Sequence, residues 1–136
     1  MLAPFRRTHA ALRAGKFFRH SDYLGVGMPD ISFHGTLSFS PDTSQDSRCI
    51  AWMLCGRYAN PEHEDIYVAV NSHWDSLKFQ VPHATNGAQW KVVVNTSMPA
   101  PNDIFDACCG PSIHDSEHVI VGGRSVMVLT SGQSGA

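Results

Sequence analysis

Charge is scarce in this 136-residue chain: only 16% of its residues are Asp, Glu, Lys or Arg, and the net charge is −2. Without a basic field there is nothing to hold a nucleic acid backbone, so nucleic acid is not expected as a partner. Long apolar runs are missing as well. Nothing approaches the ~20 residues that span a bilayer, so no membrane contact is expected. Cysteine is limited to Cys49, Cys55, Cys108 and Cys109. Cys49 and Cys55 lie on one strand-like stretch, about 20 Å apart at strand rise, and cannot bridge each other. The adjacent Cys108 and Cys109 make a poor pair, so reduced thiols are the expectation. The N-terminus, MLAPFRRTHAALRAGKFFRH, has neither a continuous apolar core nor a small-residue cleavage site. Secretion is not expected; the thiols and this Arg-rich, acid-poor start point to a bacterial cytoplasm or a plastid.

What is present is apolar and punctuated. Hydrophobic residues make up 43% of the chain, enough for one globular domain with a core. Residues 1–18 carry Leu2, Phe5, His9, Leu12 and Phe17 at helical spacing, with Gly15 as a stop. From Ile31 the period changes to two. ISFH (31–34) reads as a short strand. RCIAWMLC (48–55) is apolar on both faces, as in a central strand. DIYVAV (65–70) is a strand, and Leu77, Phe79 and Val81 mark another, with Ser76, Lys78 and Gln80 facing water. The two are expected to form a hairpin around Asn71–Ser76. QWKVVVN (89–95) follows, and the last strands, near 118–121 and 124–130, are divided by a tight turn at Gly122-Gly123. Roughly six to eight short strands with turns between them predict an antiparallel all-β sandwich or barrel. The last residues, GQSGA (132–136), read as a flexible tail.

The motifs that carry chemistry are weak. Cys108, Cys109, His114 and His118 include the residue types that hold zinc, but adjacent cysteines are not the usual knuckle. Pro111 also disfavours the helix that His-x3-His needs, so a surface loop is the preferred reading and no metal is expected. The Gly-x-Ser-Gly near the end lacks the strand–elbow–helix setting of a nucleophile. No carboxylate pair is singled out by spacing: Asp103 and Asp106 look like turn and cap residues. No glycine loop cradles a phosphate, and no cofactor is expected. Trp74 is the one candidate for substrate contact, because a flat ring in a loop can stack on a sugar. Burying that ring stabilises by about 2–3 kcal/mol. The preferred expectation is therefore that Trp74 folds down over the end of the core. Trp52 and Trp90 are expected inside it.

Several stretches, taken in order, resemble the C-terminal region of isoamylase-type starch and glycogen debranching enzymes, in the α-amylase superfamily of glycoside hydrolases. RRTHAALRAGKFF (6–18) is similar to the end of the last helix of that family's catalytic barrel, Arg-rich with a His-Pro-Ala-Leu core and a Phe-Phe finish. DISFHG (30–35) resembles the family's Asp-Ile-x-Trp-His-Gly, and Pro41 to Ala51 its Pro-Asp-Trp-Ser…Leu-Ala-Phe pattern. DIYVAVNSHWDSLKFQVP (65–82) resembles Asp-Ile-Tyr-Val…Asn-Ala-x-Trp-x-Pro-Leu-x-Phe-x-Leu-Pro. WKVVVNTSMPAPND (90–103) resembles Trp-x-x-Val-Val-Asp-Thr-Ser…Pro-x-Asp, and RSVMVL (124–129) a closing Arg-Ser-x-x-Val-Leu. Phe33 and Thr43 stand where the family usually has Trp, Ser76 where it has Pro, and Asn95 where it has Asp. The Cys108-Cys109 loop has no counterpart.

The resemblance implies a Greek-key-like β-sandwich over residues 31–131, a linker at 21–30, and a remnant of the last barrel helix over 1–20. It implies a parent that hydrolyses α-1,6 branch linkages with a pair of carboxylates, carried on a barrel upstream of Met1. No catalytic residue is then expected in this chain. Its implied partners are that barrel and, through Trp74, an α-glucan. An autonomous glucan-binding module and a zinc-stabilised interaction domain are the alternatives. A helix without its barrel would expose apolar surface around Phe5, Leu12, Phe17 and Phe18, and the chain alone would associate.

Overall fold

In the computed structural model, the structure describes residues 18–22, 24–25, 28–41, 47–58, 64–84, 89–105, 111–113 and 117–131. The described residues form an all-β body with antiparallel sheets: β1 (Ile31–His34), β2 (Cys49–Leu54), β3 (Ile66–Asn71), β4 (Leu77–Gln80), β5 (Lys91–Asn95), β6 (His118–Val121) and β7 (Ser125–Thr130). A 3-10 turn, Gly56–Tyr58, follows β2. The helix expected over the first residues lies outside the described residues, as do Phe5, Leu12 and Phe17; Phe18 is 37% exposed.

The strands sort into a five-stranded sheet in the order β1-β2-β3-β7-β5 and a two-stranded sheet, β4-β6. β2 is central, as its two apolar faces predict: it pairs with β1 on one side and β3 on the other. The alternation then sets the layers. Across the large sheet, Ala51 stands opposite Ala69, which stands opposite Met127; Met53, Tyr67 and Leu129 form the next row. These six side chains are nearly or fully buried and pack in one cluster with Phe79 of β4, Val119 and Val121 of β6, and Trp90. That cluster is the core, lying between the two sheets.

Two expectations about pairing are overturned. β3 and β4 do not form a hairpin. β3 pairs with β2 and β7, whereas β4 pairs with β6, so residues 72–76 carry the chain from one sheet to the other. Gly122-Gly123 likewise joins β6 to β7 across the sheets rather than within one. Both strand pairs are adjacent in sequence and apolar on matching faces, which is what makes a hairpin reading attractive. The competing pairing wins because β3 gains two long neighbours in full register. Gln80 is a smaller correction: it is only partly exposed to water. Its amide N–H and side chain tie β4 to Thr36 and Ser38, at 2.7 and 2.9 Å, and Ser38 Oγ donates back to its carbonyl at 3.0 Å.

Strand β5 contains a bulge between Val92 and Val94. In a regular strand Val93 and Val94 would face opposite sides; here Val93 is 1% exposed and Val94 8%. The outer edge of β5 is covered by chain: Phe105 N–H donates to Val93 O at 2.8 Å and Asn95 N–H to Asp103 O at 2.8 Å. Trp90 is core as expected, its indole N–H donating to Pro82 O at 2.8 Å. Trp52 is only half-buried, on the face of the large sheet turned away from the core. That outer face also carries Ile31, Phe33, Ile50, Val68, Val70, Val126 and Val128, with Phe33 39% and Ile50 42% exposed.

Buried polar groups hold the ends. Asp30 accepts from the backbone N–H groups of Arg19, His20 and Ile31 at 2.7, 2.9 and 2.9 Å, pinning the incoming chain to β1. Asp65 Oδ1 accepts from Gly56 N–H at 2.8 Å, and its own N–H donates to Ser131 Oγ at 2.8 Å.

Candidate functional site

Glycoside hydrolysis in its usual form needs two carboxyl groups facing a substrate across several ångströms. Both buried carboxylates of the described residues, Asp30 and Asp65, lie at the end of the sheet where β2 finishes, and backbone N–H groups occupy each of them. Among the described residues no group of three or more His, Cys, Asp or Glu is placed to hold a metal ion. Cys108, Cys109 and His114 lie outside the described residues, and His118 opens β6, half-buried. Cys49 and Cys55 carry thiols rather than a disulfide.

The one concentrated feature is the corner where the two inter-sheet crossovers meet. Asn71 ends β3 with its side chain 1% exposed. Its Nδ2 donates to the carbonyls of Asp75, Val121 and Gly122 at 2.9, 3.1 and 3.1 Å, and its Oδ1 accepts from His73 N–H at 2.9 Å. One amide therefore stitches the 72–76 crossover to the 122–124 crossover. A second stitch runs from Arg124 N–H to His73 O at 2.9 Å. The two segments touch so closely that a Cβ on Gly123 would fall on the carbonyl oxygen of Trp74, and one on Gly122 would lie 2.6 Å from Ser97 Cβ. Glycine is required here for close approach.

That packing turns Trp74 outward. Its side chain is 66% exposed, which overturns the expectation that it folds over the core. The crossover fixes its backbone against Gly123. The Arg124 guanidinium lies over the indole, 4.1 Å from the ring centroid. Arg124 reaches it from a left-handed backbone, φ 53°. His73 Nδ1 accepts from Asp75 N–H at 3.2 Å, so the proton of the neutral ring sits on Nε2. Asp75, Ser72 and Ser76 are exposed beside it. Sequence reasoning singled out Trp74 but not Asn71 or Arg124. The partners of Arg124 are remote in the chain, and its local signals, the glycine pair before it and its place at the head of RSVMVL, do not point to Trp74.

On the edge strand β1, His34 is fully buried. Phe39 N–H donates to its Nδ1 at 2.7 Å, which leaves the Nε2 proton for Ser32 Oγ at 2.8 Å. Burial lowers its pKa from 6.5 to about 4. Its ring is part of an aromatic string with Phe39, Tyr67 and Trp90. The Tyr67 hydroxyl is buried without a hydrogen-bond partner, and burial pushes its pKa up. Both groups lie inside the fold and are structural.

The model of the family described as "Isoamylase 1-3, C-terminal" matches residues 32–121, from β1 to the end of β6. The chain belongs to this family. It is also 30% identical over 105 residues to an isoamylase of a Flavobacterium species, a match covering 71% of this chain and 13% of that relative. It is thus the C-terminal region of an isoamylase-type enzyme, and the match spans about an eighth of that relative's length. Within this isoamylase C-terminal domain the family match includes Trp74 and both strands it links, and ends just before the crossover that brings Arg124.

Proposed function

We propose that this isoamylase C-terminal domain is a non-catalytic part of an enzyme that hydrolyses α-1,6 branch linkages in starch or glycogen. The observation that carries the reading is the family match over residues 32–121, laid on a body whose two sheets share one core. Its topology suits a Greek-key-like β-sandwich, and its role is to support the catalytic barrel. The outer face of the five-stranded sheet, with Trp52, Phe33, Ile50 and the valines of β3 and β7, is the apolar surface such a partner would cover. The engagement of Asp30 and Asp65 by backbone N–H groups supports placing bond cleavage elsewhere. The thiols of Cys49 and Cys55 suit a reducing compartment, the bacterial cytoplasm or a plastid. Counting new reducing ends after the folded chain is incubated with amylopectin tests the reading. None above buffer is expected, and release that scales with protein concentration would overturn it.

A second reading adds α-glucan contact at Trp74, and the 66% exposure of that ring favours it. Retention of the chain by insoluble starch, lost in Trp74→Ala, is the expected outcome; no retention would remove the reading.

A further inference from the structure

We infer that Arg124 and Trp74 together form a stacking subsite for one glucosyl ring of an α-glucan, with Arg124 a positioning residue that backs one indole face while the sugar takes the other. The inference rests on the glucan-contact reading above and extends it to a residue outside the family match.

Five observations lead there. An indole left 66% in water forgoes the stabilisation that burial would give it. It is also held there: its carbonyl oxygen abuts Gly123, and its neighbour His73 accepts from Arg124 N–H at 2.9 Å. One face of the ring carries the guanidinium at 4.1 Å. This fixes the ring in advance and lowers the entropy cost of stacking on the free face. Arg124 adopts φ 53°, where a non-glycine residue is strained by about 1–2 kcal/mol. Such strain is characteristic of positions where a side chain is aimed for use. Finally, the residues flanking Trp74 in its crossover are polar. Ser72, Asp75 and Ser76 are exposed, and His73 has an Nε2–H left to donate. A protein-binding hot spot is ringed by packed contacts that exclude water. A flat apolar face with hydrogen-bonding neighbours suits a pyranose, which presents C–H groups on its face and hydroxyls around its rim.

The test is affinity electrophoresis of the whole 136-residue chain in gels containing amylopectin, with hydroxyethylcellulose gels as a control. Four proteins are compared: wild type, Trp74→Ala, Arg124→Asn and Arg124→Lys. Asn accepts the left-handed backbone, so Arg124→Asn removes the cation without adding strain; Arg124→Lys restores the cation. Wild type is expected to be retarded by amylopectin and not by the cellulose derivative, and Trp74→Ala to run unretarded. Arg124→Asn is expected to bind about 3-fold more weakly, the size of an exposed cation–π contact, with Arg124→Lys in between. Acrylamide quenching of the fluorescence component that Trp74→Ala lacks gives a second readout, since Trp52 and Trp90 also emit. Amylopectin-derived maltoheptaose should protect the ring in wild type and less in Arg124→Asn. If wild type is not retarded, the glucan reading and this inference both fall. If Trp74→Ala loses retardation while both Arg124 variants match wild type, the glucan reading stands and the role of Arg124 is overturned. Equal retardation by the cellulose derivative would overturn the assignment to α-glucans.

Discussion

His34 shows how a single buried ring makes this fold pH-sensitive. Its folded pKa is lowered from 6.5 to about 4 because burial disfavours the cation. Above pH 6.5 the ring is neutral in both states, and its contribution to stability is fully present. As pH falls from 6.5 towards 4, the unfolded chain takes a proton that the folded chain refuses. Stability therefore declines across that window, by roughly 3 kcal/mol in all, and this loss levels off below pH 4. Urea denaturation at a series of pH values should show that decline in wild type and a flatter profile in His34→Asn; parallel profiles would show that another group sets the slope. Asn71 is the second residue on which much depends. Its amide makes four hydrogen bonds at a site 1% exposed. Asn71→Ala leaves those backbone groups unsatisfied and should cost about 2–4 kcal/mol, read as a lower denaturation midpoint. A loss below about 0.5 kcal/mol would mean that water replaces the amide.

At the scale of elements, the crossovers matter more than the strands they join. Gly123 permits the 122–124 segment to lie on the backbone of Trp74. Gly123→Ala must push the two segments apart, with an expected cost of about 1–3 kcal/mol. It should also loosen the Arg124–Trp74 contact, so that the anisotropy of the fluorescence component lost in Trp74→Ala falls while the strand signal in circular dichroism is kept. Unchanged anisotropy would show that the segments accommodate the methyl group without moving. These crossovers were also where the sequence was least legible. Period-two patterning located all seven strands, because alternation records which face of a strand is buried. It does not record which strand lies alongside. β3 and β4 look like a hairpin in sequence because the stretch between them is short and polar, and a crossover between sheets requires the same properties. Trp74 was misjudged for a related reason. A Trp in a short loop reads the same whether the loop folds over the core or away from it. The direction was decided by Gly123, far along the chain.

For the whole molecule, the legible part was the family and the all-β class; the family model matches residues 32–121. The corner that pairs Trp74 with Arg124 depends on contacts between remote segments and became visible only in three dimensions. The central claim is that this isoamylase C-terminal domain touches α-glucan at that corner and cleaves nothing. One NMR titration of the isotope-labelled chain with a branched maltooligosaccharide carrying a single α-1,6 linkage tests both parts. Glucan contact at this corner without cleavage gives amide shifts confined to residues 71–76 and 122–125, with the α-1,6 anomeric signal constant over hours. Decay of that signal, or saturable shifts that leave the Trp74 corner untouched, would contradict it.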